Sequence, residues 1–260
     1  MSDQYIPLCG ALQPDQPRFA SVPTWAERNP VLPQSEWREH DDHAELCPPI
    51  EAQTHNNCTN AALSHMGGAL FRLHGLTPPR FSWAALYARN NGGKDQGAFC
   101  RDLAADFLRV GLLPSEMWPD SQIFGQWNSL HTEVAANWKA LEIYQLMNFA
   151  DVASALSRGF LVYHGFVLGN GGVTNPRDGR MPEFDRQFSN GHAMWSRGLT
   201  RRFGDWRTIT PNTWGTSWGD KGVGYWPASY FWLQSGNMVN LDCFAVRAAA
   251  VQADKLPAAA

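Results

Sequence analysis

The chain has 260 residues, of which 44% are hydrophobic and 17% charged, and its formal net charge is -3. This length suits one large α+β unit, and the apolar share can bury a core without covalent staples. The charge balance gives no reason to expect a nucleic-acid partner or an anionic membrane surface, and no apolar run reaches the roughly 18 residues of a membrane span.

Residues 1–31 read as a proline-rich arm, because Pro7, Pro14, Pro17, Pro23 and Pro30 exclude long helices. Tyr5, Ile6, Phe19 and Trp25 give the arm something to bury. It reads as a docking arm, a short pro-segment or an unanchored leader. Its first residues lack the basic start and apolar run of a signal peptide. The five cysteines, Cys9, Cys47, Cys58, Cys100 and Cys243, are odd in number and irregularly spaced. The expectation is therefore a reducing compartment, cytoplasmic or virion-associated, rather than a secreted disulfide scaffold.

A helical pattern begins at Cys58, with Ala62, Met66, Ala69, Leu70 and Leu73 at spacings of three and four. Gly75 followed by Pro78 and Pro79 ends it. Further helices are expected over residues 81–89, 99–110 and 149–158, with Gly92, Gly93 and Gly97 interrupting the first two. Strands are expected over residues 160–168, 191–199, 206–211, 222–225 and 242–247, separated by Gly, Asn and Asp turns. Helices first and strands second is the order of an α+β fold with segregated halves. The 12 tryptophans are expected chiefly in the core.

A catalytic cysteine needs partial ionisation, a neighbouring base, a group that orients the base, and donors for an oxyanion. Cys58 stands where a helix begins, after the turn-like His55, Asn56 and Asn57. A helix N-terminus favours thiolate and presents free N–H groups. A cysteine there is more often a small buried residue, so the position alone decides little. Two distant segments add to it: NGHAMW at 190–195 and TPNTWGTSWGDKGVGYW at 210–226.

The second segment resembles the N-S-W-G-x-x-W-G-x-x-G run of papain-like cysteine peptidases of the C1 family, and the first resembles their histidine segment. His192 and Asn212 follow Cys58 at about the 130–150 residues known for that family. CTNAA at 58–62 looks like a bacterial or phage-type variant in which threonine follows the nucleophile. Leu32, Pro33, Trp37 and Arg38 resemble the start of the mature domain, and residues 81–118 the glycine-rich turn and the helix after it. The resemblance implies a two-lobed papain-like α+β fold. Its N-terminal half would be helical, with the nucleophile at a helix N-terminus, and its C-terminal half an antiparallel sheet or barrel. It also implies a division into the arm at 1–31, a peptidase domain at 32–247 and a tail at 248–260, with no large pro-domain. Cys58 would be the nucleophile, His192 its base and Asn212 the group that orients it, while Gln53 would help hold the oxyanion. Trp214 would shield the His192–Asn212 bond. Gly92 and Gly93 read equally as a glycine edge that pairs with an extended peptide or protein substrate or as an ordinary turn, while Trp214 and Trp218 would contact that substrate. The match departs from the family in four places, one being His55, which sits where many secreted relatives have a disulfide cysteine. Gln53 is one residue closer to Cys58 than usual, Asn57 precedes the nucleophile where a small residue is common, and Pro211 precedes Asn212.

Neither a cofactor nor a metal is expected. His40, His43 and Cys47 form H-x2-H-x3-C, but a fourth ligand is not evident beside them. The loop at 170–184 reads as a solvated surface loop or a lid over the groove. Two other functions stay open. The first is a dormant papain-fold component of a larger assembly, such as a phage particle, docked through the arm. The second is an amidase acting on peptidoglycan stem peptides.

Overall fold

The structure is a computed structural model that describes residues 10–12, 19–169, 174–185, 187, 190–231 and 240–248. Its elements in chain order are a short α1 (Trp25–Arg28), α2 (Cys58–Leu73), α3 (Ala85–Asn90), α4 (Cys100–Arg109), α5 (Ser129–Ala135), β1 (Ala140–Gln145), α6 (Phe149–Ser157), β2 (Leu161–Val167), β3 (Gly191–Ser196), β4 (Gly198–Thr200), β5 (Arg207–Pro211), β6 (Val223–Pro227) and β7 (Asn240–Ala248). The α+β class and the segregated order are as expected, and α2 starts on Cys58.

α2 is the axis of the helical half and is buried from Cys58 through Phe71. Small residues make that possible. A side chain at Gly67 would run into Leu112, and one at Gly68 into Pro48. α2 ends at His74, and Gly75 takes the left-handed conformation there (φ 74°).

One antiparallel sheet has the order β1-β7-β2-β3, and a second has the order β4-β5-β6. The first is a wall between two cores. On β2, Leu161, Tyr163 and Val167 face the helical core, while Val162 and Phe166 face the other. On β3, Ala193 and Trp195 join the first core and Met194 the second. This is the two-residue alternation of strand side chains. It puts Ala193 on the side of Cys58 and turns His192 the opposite way.

The sheet form of the expectation stands, but the barrel form needs correction. Among the described residues the two sheets stay open. The chain leaves β3 at Arg197, whose N–H donates to Ile209 O at 2.9 Å, and re-enters at once as β4 of the second sheet. The sheets therefore meet along one strand path and do not close on each other.

Of the arm, Tyr5 and Ile6 lie outside the described residues. Trp25 is fully buried, with edge contacts to Tyr144 (5.9 Å) and Phe160 (5.2 Å). Phe19 sits edge-on to Phe244 at 6.2 Å and under the Arg101 guanidinium at 5.4 Å. Among the described residues no helix is long and apolar enough to cross a membrane.

Candidate active site

The position of Cys58, the expected nucleophile, is built by backbone. Cys58 opens α2, whose first-turn N–H groups have no intrahelical acceptor. Asn57 stands at the N-cap but does not cap with its side chain. Its amide instead donates to Trp83 O at 2.9 Å, tying the helix start to the segment before α3. The Cys58 sulfur accepts N–H bonds from Ala193 (3.4 Å) and Gly10 (3.2 Å).

His192 is the second residue of β3 and is fully buried. Its Nε2 lies 2.8 Å from Asn212 Oδ1, and the Thr213 N–H also donates to that oxygen at 2.7 Å. An atom that receives a backbone N–H must be the amide oxygen, which fixes the amide orientation and makes His192 Nε2 the protonated nitrogen. Nδ1 is then a bare lone pair. It has no hydrogen-bond partner among the described residues. The Trp214 ring stacks on the imidazole at 4.3 Å and 25°, and Trp218 meets Trp214 edge-on at 5.3 Å. Pro211, the departure noted before Asn212, ends β5 opposite Val223, where a missing N–H is tolerable. The ladder resumes with the Asn212 N–H donating to Gly222 O at 2.9 Å.

Gln53 reaches the same place from the chain before α2. Its N–H donates to Thr213 O at 2.8 Å, its Oε1 accepts from Thr213 Oγ1 at 2.6 Å, and its Nε2 donates to His55 O at 2.9 Å. The Gly215 N–H donates to Glu51 O at 3.2 Å, so residues 51–53 run antiparallel to 213–215. The interval of five residues to Cys58 is thus spanned by a segment clamped to the asparagine turn.

Burial sets the charge state. It pushes the Cys58 thiol up to about 11, against the lowering pull of the N–H bonds from Ala193 and Gly10. It pulls His192 down to about 4, against the raising effect of the Asn212 bond. The closed site therefore holds a neutral thiol and a neutral imidazole.

What closes the site is the chain's own arm. The Gly10 N–H touches the sulfur, Gly10 O accepts from the Ala98 N–H at 2.7 Å, the Leu12 N–H donates to Ala98 O at 2.9 Å, and the Ala11 N–H donates to Gly191 O at 3.0 Å. Ala98 belongs to the helical half and Gly191 to the sheet half, so residues 10–12 lie across the seam. Gly10 must be glycine here, since a Cβ would collide with the Asn56 carbonyl. Gly97 must be too, with φ 95° and a Cβ position that meets Gly10 O.

The structure gathers His192, Asn212, Gln53, Trp214 and Trp218 around one turn, with the Cys58 sulfur at the N–H of Ala193, the residue after His192. It sets Gly92 and Gly93 apart, in an exposed turn closed by the Gly93 N–H on Asn91 Oδ1, with open space where side chains would stand. The backbone edge that receives a peptide segment is at Gly97 and Ala98. Sequence reading took Gly97 only for a helix interruption, and a glycine just before a helix start could have flagged it. His40, His43 and Cys47 take separate partners. His40 Nε2 bonds Leu156 O (3.1 Å), the Cys47 thiol donates to His43 O (3.4 Å), and Arg197 donates to the Cys47 sulfur (3.2 Å). Within the loop at 170–184, Asn175 accepts from the Gly219 N–H at 2.8 Å and Thr174 O from Trp218 Nε1 at 3.1 Å, so the described part is fastened to the tryptophan turn.

No family model and no curated protein sequence matches the chain. Solved structures do match it. Xylellain, a cysteine protease from Xylella fastidiosa, is 19% identical over 94% of this chain and 97% of its own, with a TM-score of 0.70. Procathepsin B S9 from Trypanosoma congolense is 16% identical over 94% and 87%, at 0.65. The bromelain protease from Ananas comosus is 13% identical over 79% and 96%, at 0.60. The chain has the fold of the papain-like cysteine proteases.

Proposed function

We propose that this chain is a cysteine peptidase that hydrolyses peptide bonds through Cys58, His192 and Asn212, and that its arm holds it latent. The observation that carries this reading is the tautomer of His192. With Nε2–H committed to Asn212, the ring keeps a bare Nδ1 on the residue whose neighbour's amide touches the Cys58 sulfur.

Once residues 10–12 leave the seam, water reaches the pair and the penalty on its charged form falls. Nδ1 takes the thiol proton, and the sulfur attacks the substrate carbonyl carbon. The Cys58 N–H and Gln53 Nε2 hold the oxyanion. As the C–N bond breaks, the proton on Nδ1 passes to the leaving amine. Water, deprotonated by the same nitrogen, then cleaves the thioester and frees the thiol. Trp214 covers the imidazole and keeps its bond to Asn212 dry. An extended substrate would pair with the edge at Gly97 and Ala98, where the arm now lies.

The test is cleavage of a diverse peptide library by the full chain, compared with Cys58→Ala. Cys58-dependent products are expected. If there are none, and iodoacetamide labels Cys58 no faster than the other cysteines, the peptidase reading is wrong. The complete burial of Cys58 and His192 also favours the second reading, a dormant assembly component, and that outcome would select it. Release of peptides from purified cell wall alone would select the amidase.

A further inference from the structure

β2 carries a second wholly buried imidazole, that of His164. Its Nε2 lies 2.8 Å from Ser196 Oγ on β3, Ser196 Oγ lies 2.8 Å from Thr210 Oγ1 on β5, and Thr210 Oγ1 lies 3.0 Å from Thr208 Oγ1. All four side chains are buried. We propose that His164 is a positioning residue for the Cys58–His192 pair, acting through Ser196 and Thr210 to hold β5, and with it the Asn212 amide, against β3. The proposal rests on the reading of Cys58 and His192 as nucleophile and base.

The argument starts from strand geometry. His192, Met194 and Ser196 share one face of β3, and Thr208, Thr210 and the following Asn212 share one face of β5. β3 and β5 belong to different sheets, and backbone joins them at the Arg197 end, where the Arg197 N–H donates to Ile209 O and Gly198 pairs with Ile209. From there toward the site, side chains on these two faces carry that register on, as two rungs: Ser196 to Thr210, and His192 to Asn212. The second rung sits four residues along β3 and two along β5 from the first.

His164 gives the rung from Ser196 to Thr210 a direction. If Nε2–H donates to Ser196, the Ser196 hydroxyl passes to Thr210 and Thr210 to Thr208, so each proton in the chain has an acceptor up to Thr208. The reverse order would leave an N–H at His164 Nδ1, which has no partner among the described residues. A buried bare lone pair is tolerated better than a buried orphan N–H. The forward order therefore commits the Ser196 proton to Thr210 and leaves that hydroxyl no freedom to turn away.

Packing does not account for the residue. The ring stacks on Phe166 at 4.3 Å and meets Phe231 edge-on at 5.3 Å, an environment that would suit phenylalanine. A half-satisfied imidazole there costs stability that a phenylalanine would not. What phenylalanine would lack is the donor to Ser196. Burial, and then the proximity of His192, holds the imidazole at about 3, so it stays neutral as the base next to it cycles.

The experiment uses the full chain carrying His164→Phe or His164→Gln. Its readouts are the Cys58 alkylation rate by iodoacetamide across pH, kcat and KM on any peptide that Cys58 cleaves, and the thermal midpoint. His164→Phe should keep the wild-type midpoint or exceed it. It should lower alkylation and kcat about tenfold at unchanged KM and displace the acid limb of the profile, as a misplaced base does. His164→Gln, which can still donate to Ser196, should recover most of the rate. Wild-type rates and profile in His164→Phe would overturn the proposal, and so would equal losses in both variants that track the midpoint. Should His164→Phe not fold, Ser196→Ala cuts the same chain and must show the same fall; an unchanged rate there overturns the proposal. His192→Ala separates the two readings. If it leaves alkylation unchanged, there is no pair to position and both readings fail. If it slows alkylation while no peptide is cleaved, only the peptidase reading fails, and alkylation still decides the role of His164.

Discussion

The two halves of the molecule bury different things. The helical half packs α2 largely in small and apolar side chains, and its buried start is tied down by Asn57, Asn60 and Ser64, whose side chains donate to the backbone carbonyls of Trp83 and Ser82. The sheet half buries a polar row, with His164, Ser196, Thr208, Thr210, His192 and Asn212 all below a tenth exposed. Cys58, the proposed nucleophile, is thus held by a helix start anchored to backbone carbonyls of the neighbouring segment. The base is held by side-chain hydrogen bonds, each of which can be cut singly. Damage to the two sides should differ in kind: on the helical side it alters access to the sulfur, and on the sheet side it alters the base.

The largest contrast should come from the base itself. His192→Ala should lower cleavage by at least about 10³-fold, because nucleophile and base act as a unit. Alkylation of Cys58 should fall with it. Next comes Gln53→Leu, expected to lower kcat by about 10²–10³-fold while hardly changing alkylation, since attack on iodoacetamide builds no oxyanion. A parallel fall in both would move Gln53 from oxyanion donor to a clamp on the asparagine turn.

On the helical side the effect should have the opposite sign. Gly10→Val places a side chain against the Asn56 carbonyl. The arm can then no longer seat on the sulfur, and alkylation of Cys58 should rise about tenfold or more, in step with the open fraction. No rise would show that residues 10–12 do not limit access to the sulfur.

The sequence showed the two halves unequally. The start of α2 was legible to the residue and its end to within one, because its apolar spacing and its stop at Gly75 are local signals. β2, β3 and β5 were legible because buried strands read as continuous apolar or β-branched runs. α5 was missed because SLHTEVA carries almost no apolar stripe and relies on a capping box at Asn128. β1 was missed because it is an edge strand whose pattern, buried at Ala140, Ile143 and Gln145, does not alternate, with a bulge between Ala140 and Glu142. The residues later found at the site were found through the motif around Asn212 rather than by periodicity. The contact of Gly10 with Cys58 could not be read at all. It joins positions 48 residues apart through backbone groups that every residue carries. The polar rung at His164 was equally hidden, since its members came from three strands that the sequence showed only as apolar runs.

The smallest expected effect is on stability, and it separates the halves by pH. Burial pulls His65 down to about 4, His164 to about 3 and His192 to about 4. In the unfolded chain they titrate near 6.5. Between those limits the unfolded chain binds protons that the native chain refuses, so their contribution is complete above about pH 6.5 and is lost as pH falls toward 4. At pH 5 each costs roughly 2 kcal/mol, at about 1.4 kcal/mol per pKa unit. Asp242 works in the other direction. Burial raises it to about 6 against the pull of Arg101, so its contribution is present at low pH and is lost as pH rises through 6. Three histidines outweigh one carboxyl, and the denaturation midpoint should fall between pH 6.5 and 4.5. Two of the three lie in the sheet half, and the third, His65, accepts from Trp195 Nε1 of β3 at 2.9 Å. Acid should therefore loosen the sheet side first. At pH 5, amide exchange should quicken in β5 more than in α4, which carries no histidine. His164→Phe should reduce that difference. Equal quickening in both elements would mean that the polar row is not what makes the sheet half the acid-sensitive one.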